Sequence, residues 1–105
     1  MASKRPRTLR READRETEAL IAAKEKLATL EAGGTEERPL AVESASLVEP
    51  RALRERCLAC DSAVDLVDHR AVHVRGTLVR EVVVKCKRCA RRRALWIRVA
   101  VPQVH

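Results

Sequence analysis

Four cysteines are the residues of this chain best suited to chemistry, and they occur as two matched pairs. The pairs are Cys57-Leu-Ala-Cys60 and Cys86-Lys-Arg-Cys89, separated by the segment 61–85, and the 105-residue chain has no other cysteine. A spacing of two residues lets a tight turn direct both thiolates at one point, and two such turns complete a tetrahedral four-sulfur shell. The spacing therefore predicts a structural metal site with Cys57, Cys60, Cys86 and Cys89 as its ligands.

Other uses of paired cysteines fit the chain less well. Two disulfides suit a small secreted protein, but the segment 1–16 contains no apolar stretch typical of a secretory signal peptide. A thioredoxin-like redox site uses one such pair beside a βαβ unit, which this sequence does not indicate. Iron stays open as an alternative, because four thiolates also bind iron and rubredoxins have a similar spacing. Rubredoxins line their site with aromatic residues, whereas Trp96 is the only aromatic residue here, which favours Zn²⁺.

Beyond the first pair, apolar and polar residues alternate with the period of a β-strand. The alternation covers 64–66 and 72–74, pauses at a turn over 75–77, and resumes over 78–86 and 95–101. We therefore expect three antiparallel strands connected with two cysteine turns.

With this strand pattern, Cys57, Cys60, Cys86 and Cys89 resemble the ligands of the zinc-ribbon superfamily, and the resemblance covers the segment 57–101. It implies a small metal-stabilised β fold, a three-stranded antiparallel zinc ribbon, with Zn²⁺ as its cofactor. Ribbons commonly place a left-handed glycine after the second cysteine of each pair, where this chain has Asp61 and Ala90. The hairpin tip at 75–77 also lacks the acidic pair of transcription-elongation ribbons, so their catalytic assistance is not expected here.

The rest of the chain divides into segments that we expect to be distinct. These are a disordered basic tail (1–7), an N-terminal α-helical arm (8–32), a linker (33–50) and the zinc-ribbon domain (51–105). The arm has Thr8 as a suitable N-cap and ends before two glycines. Two glycines and two prolines indicate the linker. Pro50 predicts the start of a short helix over 51–56 that leads to the first cysteine pair.

An apolar stripe along the arm suggests weak self-association at most. One heptad position holds Ala13, Leu20 and Leu27, and the other holds Leu9, Glu16, Ala23 and Leu30. A glutamate in the seam and two flanking lysines disfavour a stable coiled coil. A weak homodimer through residues 8–32 therefore competes with a single charged helix or a helix packed on a partner.

Basic residues concentrate around the second cysteine pair. The segment 57–105 holds ten basic and four acidic side chains, a net charge of +6, whereas the segment 1–56 holds twelve and eleven, a net charge of +1. Six of the basic side chains form what we call the basic cluster: Lys85, Lys87, Arg88, Arg91, Arg92 and Arg93. This density predicts contacts with nucleic-acid phosphates. An acidic protein partner, or a solvated surface that offsets the charge of a metal–thiolate centre, is the alternative.

The remaining candidates for chemistry are weak. His69 and His73 are expected to be surface residues, because four cysteines already complete a metal shell. The sequence shows no Ser-His-Asp set, glycine-rich phosphate loop or paired-carboxylate motif, so we expect no enzymatic activity. No apolar run approaches about 20 residues, the length of a membrane span, and free thiols suit the reducing cytoplasm.

The sequence thus predicts a cytoplasmic zinc-ribbon accessory protein that binds nucleic acid or a transcription-type assembly through the basic cluster. The alternative is a protein–protein interaction adaptor that binds acidic partners and in which zinc is purely structural.

Overall fold

A computed structural model describes residues 5–100 of the chain. The elements follow one another as α1 (Pro6–Leu30), β1 (Leu40–Val42), a 3₁₀ turn (Ala45–Leu47), α2 (Val48–Leu53), β2 (Val64–Val74), β3 (Thr77–Cys86) and β4 (Arg92–Val99). Residues 1–4 of the expected basic tail, and residues 101–105, lie outside the described residues. Pro6 and Arg7 of that tail belong to α1, which starts at Pro6 rather than at Thr8 and has Arg5 as its N-cap.

The sheet has four strands in the order β1-β4-β3-β2. Strands β2, β3 and β4 form the expected antiparallel meander, with Val64 opposite Cys86 and Val82 opposite Leu95. The prediction of a three-stranded antiparallel ribbon is wrong in one respect, because β1 adds a parallel strand along β4. A three-residue strand that follows a proline is too short to show the alternation by which strands are recognised.

Small aliphatic residues form the core on one face of the sheet. Its buried members are Val42, Val48, Ala52, Val64, Val82, Val84, Leu95 and Ile97, and Leu40 and Val99 pack against them. Two of these side chains, Val42 and Val48, belong to the segment 33–50 that was expected to be a linker. The helix expected over 51–56 begins earlier, at Val48, with Pro50 still in its first turn. The segment 33–50 therefore contributes to the folded core, and the boundaries of independently folding units stay a prediction.

Helix α1 makes the molecule elongated. Its 25 residues span about 37 Å, and the longest dimension of the structure is 75 Å. The helix ends in a turn in which Gly33 has φ +88° and its carbonyl accepts a hydrogen bond from the Trp96 amide (2.9 Å). A Cβ on Gly33 would lie 2.7 Å from Leu40 Cγ. The junction between the arm and the sheet is thus closely packed.

Replacing Gly33 with alanine is expected to destabilise the fold more than the same change at Gly76. Both glycines have positive φ, but a Cβ on Gly76 would have no atom within 4 Å. The strain of the left-handed backbone costs about 1–2 kcal/mol at either position, and overpacking at Gly33 adds about 1–3 kcal/mol. Denaturant unfolding of the two variants measures the difference. Equal losses of unfolding free energy would contradict this account of the junction.

Candidate metal centre

The two cysteine turns have the same backbone hydrogen bonds. We call residues 57–62 the first knuckle and residues 86–91 the second knuckle. In each, the amide of the first cysteine donates to the carbonyl five residues later, and its own carbonyl accepts from the amide four residues later. The distances are 3.0 Å (Cys57–Ser62) and 2.9 Å (Asp61–Cys57) in the first knuckle, and 2.8 Å (Cys86–Arg91) and 3.2 Å (Ala90–Cys86) in the second.

This shared backbone requires a left-handed residue after each second cysteine. Asp61 has φ +59° and Ala90 has φ +66°, so both occupy the conformation for which ribbons commonly use glycine. Aspartate tolerates this conformation better than alanine does, so the strain is greater in the second knuckle. The backbone is thus strained at the residue that follows the second cysteine of each knuckle.

The four cysteine sulfurs converge at the distances that a metal ion needs. Cys57 Sγ lies 3.4 Å from Cys89 Sγ, and Cys60 Sγ lies 3.4 Å from Cys86 Sγ. All four sulfurs lie within 4.8 Å of one another, and all four cysteines are free. A tetrahedron with metal–sulfur bonds of about 2.3 Å has edges of about 3.8 Å. The four cysteines can therefore hold one metal ion with small adjustments of their side chains.

Backbone amides favour the thiolate of Cys86. The amides of Cys89 and Arg88 each donate to Cys86 Sγ at 3.3 Å. These bonds, that of Cys89 first, outweigh burial and lower the pKa of Cys86 to about 6. Cys60 is affected in the same direction, because hydrogen bonds with Ser62 lower its pKa. Metals bind the thiolate form of cysteine, so a lowered pKa favours metal binding by Cys60 and Cys86.

Cys89 shows the opposite effect. The Arg91 amide lowers the pKa of this thiol, but burial and hydrogen bonds with Cys57, Cys86 and Cys60 outweigh that bond and raise the pKa to about 11. Four sulfurs this close cannot all carry charge without a compensating cation. The donor set therefore suits a divalent cation of thiolate affinity.

Half of the basic cluster is paired with carboxylates of the same chain. Lys87 Nζ lies 3.4 Å from Asp65, and Arg93 lies 3.5 Å from Glu55. Arg91 reaches the arm, at 3.4 Å from Glu18 and 3.3 Å from Glu25. The other three members have no ion pair within residues 5–100, and we call them the unpaired cations: Lys85, Arg88 and Arg92.

The contact with Arg91 shows that one face of α1 docks beside the metal centre. Glu18 and Glu25, which contact Arg91, lie two turns apart on α1. The buried residues of the helix, Ile21 and Ala28, lie on the same face. A cavity of about 280 Å³ separates this face from Cys57 and Trp96.

The leucines of the expected dimer seam lie on the exposed side of α1: Leu9, Leu20, Leu27 and Leu30. The homodimer stays a prediction, and the docked face is the opposite one.

Docking of α1 also creates a cleft that sequence reasoning missed. It is lined by Lys24 together with Arg54, Arg56 and the first knuckle. Arg54 and Arg56 precede the first cysteine, but the sequence contains no sign that a lysine from the middle of the arm would join them. Only the packing of α1 brings these cations together.

His69 connects two elements of the fold through a contact with Glu49. Its Nδ1 lies 3.1 Å from Glu49 Oε1, which links β2 to α2, and its side chain is 19% exposed rather than fully on the surface. Within residues 5–100, the four cysteines are the one group of three or more side chains arranged to hold a metal. That neither His69 nor His73 binds a metal stays a prediction.

Comparison with protein-family models, with curated proteins and with solved structures finds no match to this chain. Assignment of a function therefore rests on the residues and their geometry alone. In the described part of the chain, no helix has the length and apolar character needed to cross a bilayer.

A charge on the docked face of α1 is expected to release the arm, whereas the same charge on the other face is not. Ile21 is 8% exposed and its neighbour Leu20 is 57% exposed. Burial of an isoleucine side chain contributes about 1.5–3 kcal/mol, so I21D should increase the rate of proteolytic cleavage within α1 about tenfold or more. L20D adds the same charge on the exposed face and serves as the control. Equal cleavage rates for I21D and L20D would show that α1 is not docked.

Proposed function

We propose that the chain is a non-enzymatic zinc-binding module of the ribbon kind, with Zn²⁺ held by Cys57, Cys60, Cys86 and Cys89. Support comes from the four-sulfur donor set and from sulfur distances of 3.4–4.8 Å. A closed shell of four cysteines is typical of structural rather than catalytic zinc, because it leaves no position for water or substrate. A single tryptophan argues against the aromatic surroundings of rubredoxin-type iron sites.

The metal proposal predicts one zinc per chain and a fold that depends on it. The cysteine-bearing sheet has a core of small aliphatic residues, while a structural zinc contributes about 10–16 kcal/mol of apparent binding energy. C86S should therefore abolish zinc retention and leave β2–β4 unfolded in circular dichroism and NMR spectra. S46A, which removes an exposed hydroxyl of the 3₁₀ turn and leaves the cysteines and their hydrogen-bond partners intact, is the control. Stoichiometric iron, or a folded C86S protein without metal, would contradict the proposal.

We further propose that this module binds nucleic acid, as part of a transcription-type assembly or alone. The observation that carries this proposal is the group of unpaired cations beside the second knuckle. Arg88 and Arg92 are exposed, and their charges are not neutralised by carboxylates within residues 5–100. Such side chains can release counterions from phosphates, which makes binding strong at low salt and largely independent of base sequence.

The salt dependence of binding tests this surface. The wild type should bind mixed-sequence DNA or RNA with a log–log salt slope of about −3 to −5. Replacing the unpaired cations with alanine should reduce that slope by about 2 to 3, since each lost phosphate contact removes about 0.9. A matched control removes the same charge from β3, β4 and the hairpin turn, at the end of the sheet away from the cysteines: Arg75, Arg80 and Arg98.

Absence of binding at low salt would contradict the nucleic-acid proposal. At about 50 mM salt the attraction of exposed charges is strong, so absence of retention on nucleic acid there would end this proposal. An equal loss of slope in both triple variants would show that net charge, rather than this surface, is responsible.

An adaptor for acidic protein partners is the second candidate function. One observation favours it: Arg91 of the basic cluster already binds two carboxylates of a helix, Glu18 and Glu25. The cluster is thus chemically suited to an acidic helix. If the chain is not retained on nucleic acid, the adaptor becomes the leading proposal, with the zinc site purely structural.

A further inference from the structure

The cleft between α1 and the first knuckle gathers cations that do not belong to the basic cluster. Its volume is about 610 Å³, and its walls carry Lys24 of α1 with Arg54 and Arg56 of the segment after α2. Lys24 and Arg54 have no ion pair within residues 5–100. Arg56 Nη1 donates to the Asp61 carbonyl at 3.3 Å, which holds this side chain across the first knuckle.

The carboxylates of the cleft leave this positive charge largely uncompensated. Glu55 lines the cleft but is held by Arg51 at 2.9 Å and Arg93 at 3.5 Å. Asp61 is the other lining carboxylate, and it has no ion pair in the described part of the chain. Three cations therefore face one uncompensated carboxylate. Cys57 and Cys60 also line the cleft, and their thiolates would repel an anion, so the three cationic side chains must supply the attraction.

We infer that this cleft binds a phosphate-type oxyanion through Lys24, Arg54 and Arg56. Guanidinium and ammonium groups bind phosphate oxygens through charge-assisted hydrogen bonds, and two arginines with one lysine combine directional and flexible donors. Such an oxyanion occurs free in solution and also in the backbone of nucleic acid. The nucleic-acid source rests on the proposed function. Binding of backbone phosphates here would extend the nucleic-acid surface from the second knuckle to the first.

Lysine replacements on α1 test the cleft with a closely matched control. Lys24 lines the cleft, whereas Lys26, two residues later and on another side of the same helix, does not. The full-length, metal-loaded protein is titrated with inorganic phosphate, and separately with a short mixed-sequence DNA duplex, while ¹H–¹⁵N chemical shifts are followed. We expect phosphate to shift the amides of residues 54–61, and K24A to weaken phosphate binding about threefold or more. K26A should leave it unchanged, and R54A should act like K24A.

The two ligands separate this inference from the proposed function. If K24A weakens phosphate binding but the wild type does not bind DNA, the cleft takes a free phosphate and the nucleic-acid proposal fails. If K24A weakens the binding of both phosphate and DNA relative to K26A, the cleft also binds a backbone phosphate of nucleic acid. If DNA binds through the unpaired cations while K24A and K26A bind both ligands alike, the inference about the cleft is wrong and the proposed function remains.

Discussion

Four thiols from two separate segments of the chain meet at one point, and the pairing of β2 with β3 brings them there. The β2–β3 pairing places Val64 opposite Cys86, so the beginning of one strand and the end of the other lie at the same end of the sheet. The Lys87 amide donates to the Ala63 carbonyl at 3.0 Å, which joins the second knuckle to the chain just beyond the first. The register of a single hairpin thus places both cysteine pairs at one end of the sheet.

Convergence of the thiols has an electrostatic cost that the surrounding residues reduce. Backbone amides lower the pKa of Cys86 and hydrogen bonds with Ser62 lower that of Cys60, while burial and the neighbouring thiols raise the pKa of Cys89. A divalent cation would replace the remaining protons and remove the repulsion between thiolates. Its contribution matters because the core consists of valine, alanine, leucine and isoleucine and lacks the large area that aromatic side chains bury. A bound metal would supply the stability that a small core does not.

The parts of this arrangement that depend on local pattern could be predicted from the sequence. Cysteine spacing identified the four converging thiols, and alternating apolar residues identified β2–β4. A stretch without glycine or proline that ends at Gly33 identified α1. Strand β1 was missed, because Leu40–Val42 is three residues long and its pairing with β4 is non-local. Docking of α1 was also missed, since its ion pairs with Arg91 join distant parts of the chain. Alternation and capping signals report only neighbours along the chain, so such contacts have no local signature.

The central claim is that one cation bound by four cysteine sulfurs holds this fold together. X-ray absorption at the zinc edge, on protein purified without added metal, tests it most directly. We expect a first shell of sulfur alone, with about four neighbours at about 2.3 Å. A shell that contains nitrogen or oxygen, or a folded protein without bound zinc, would contradict the claim.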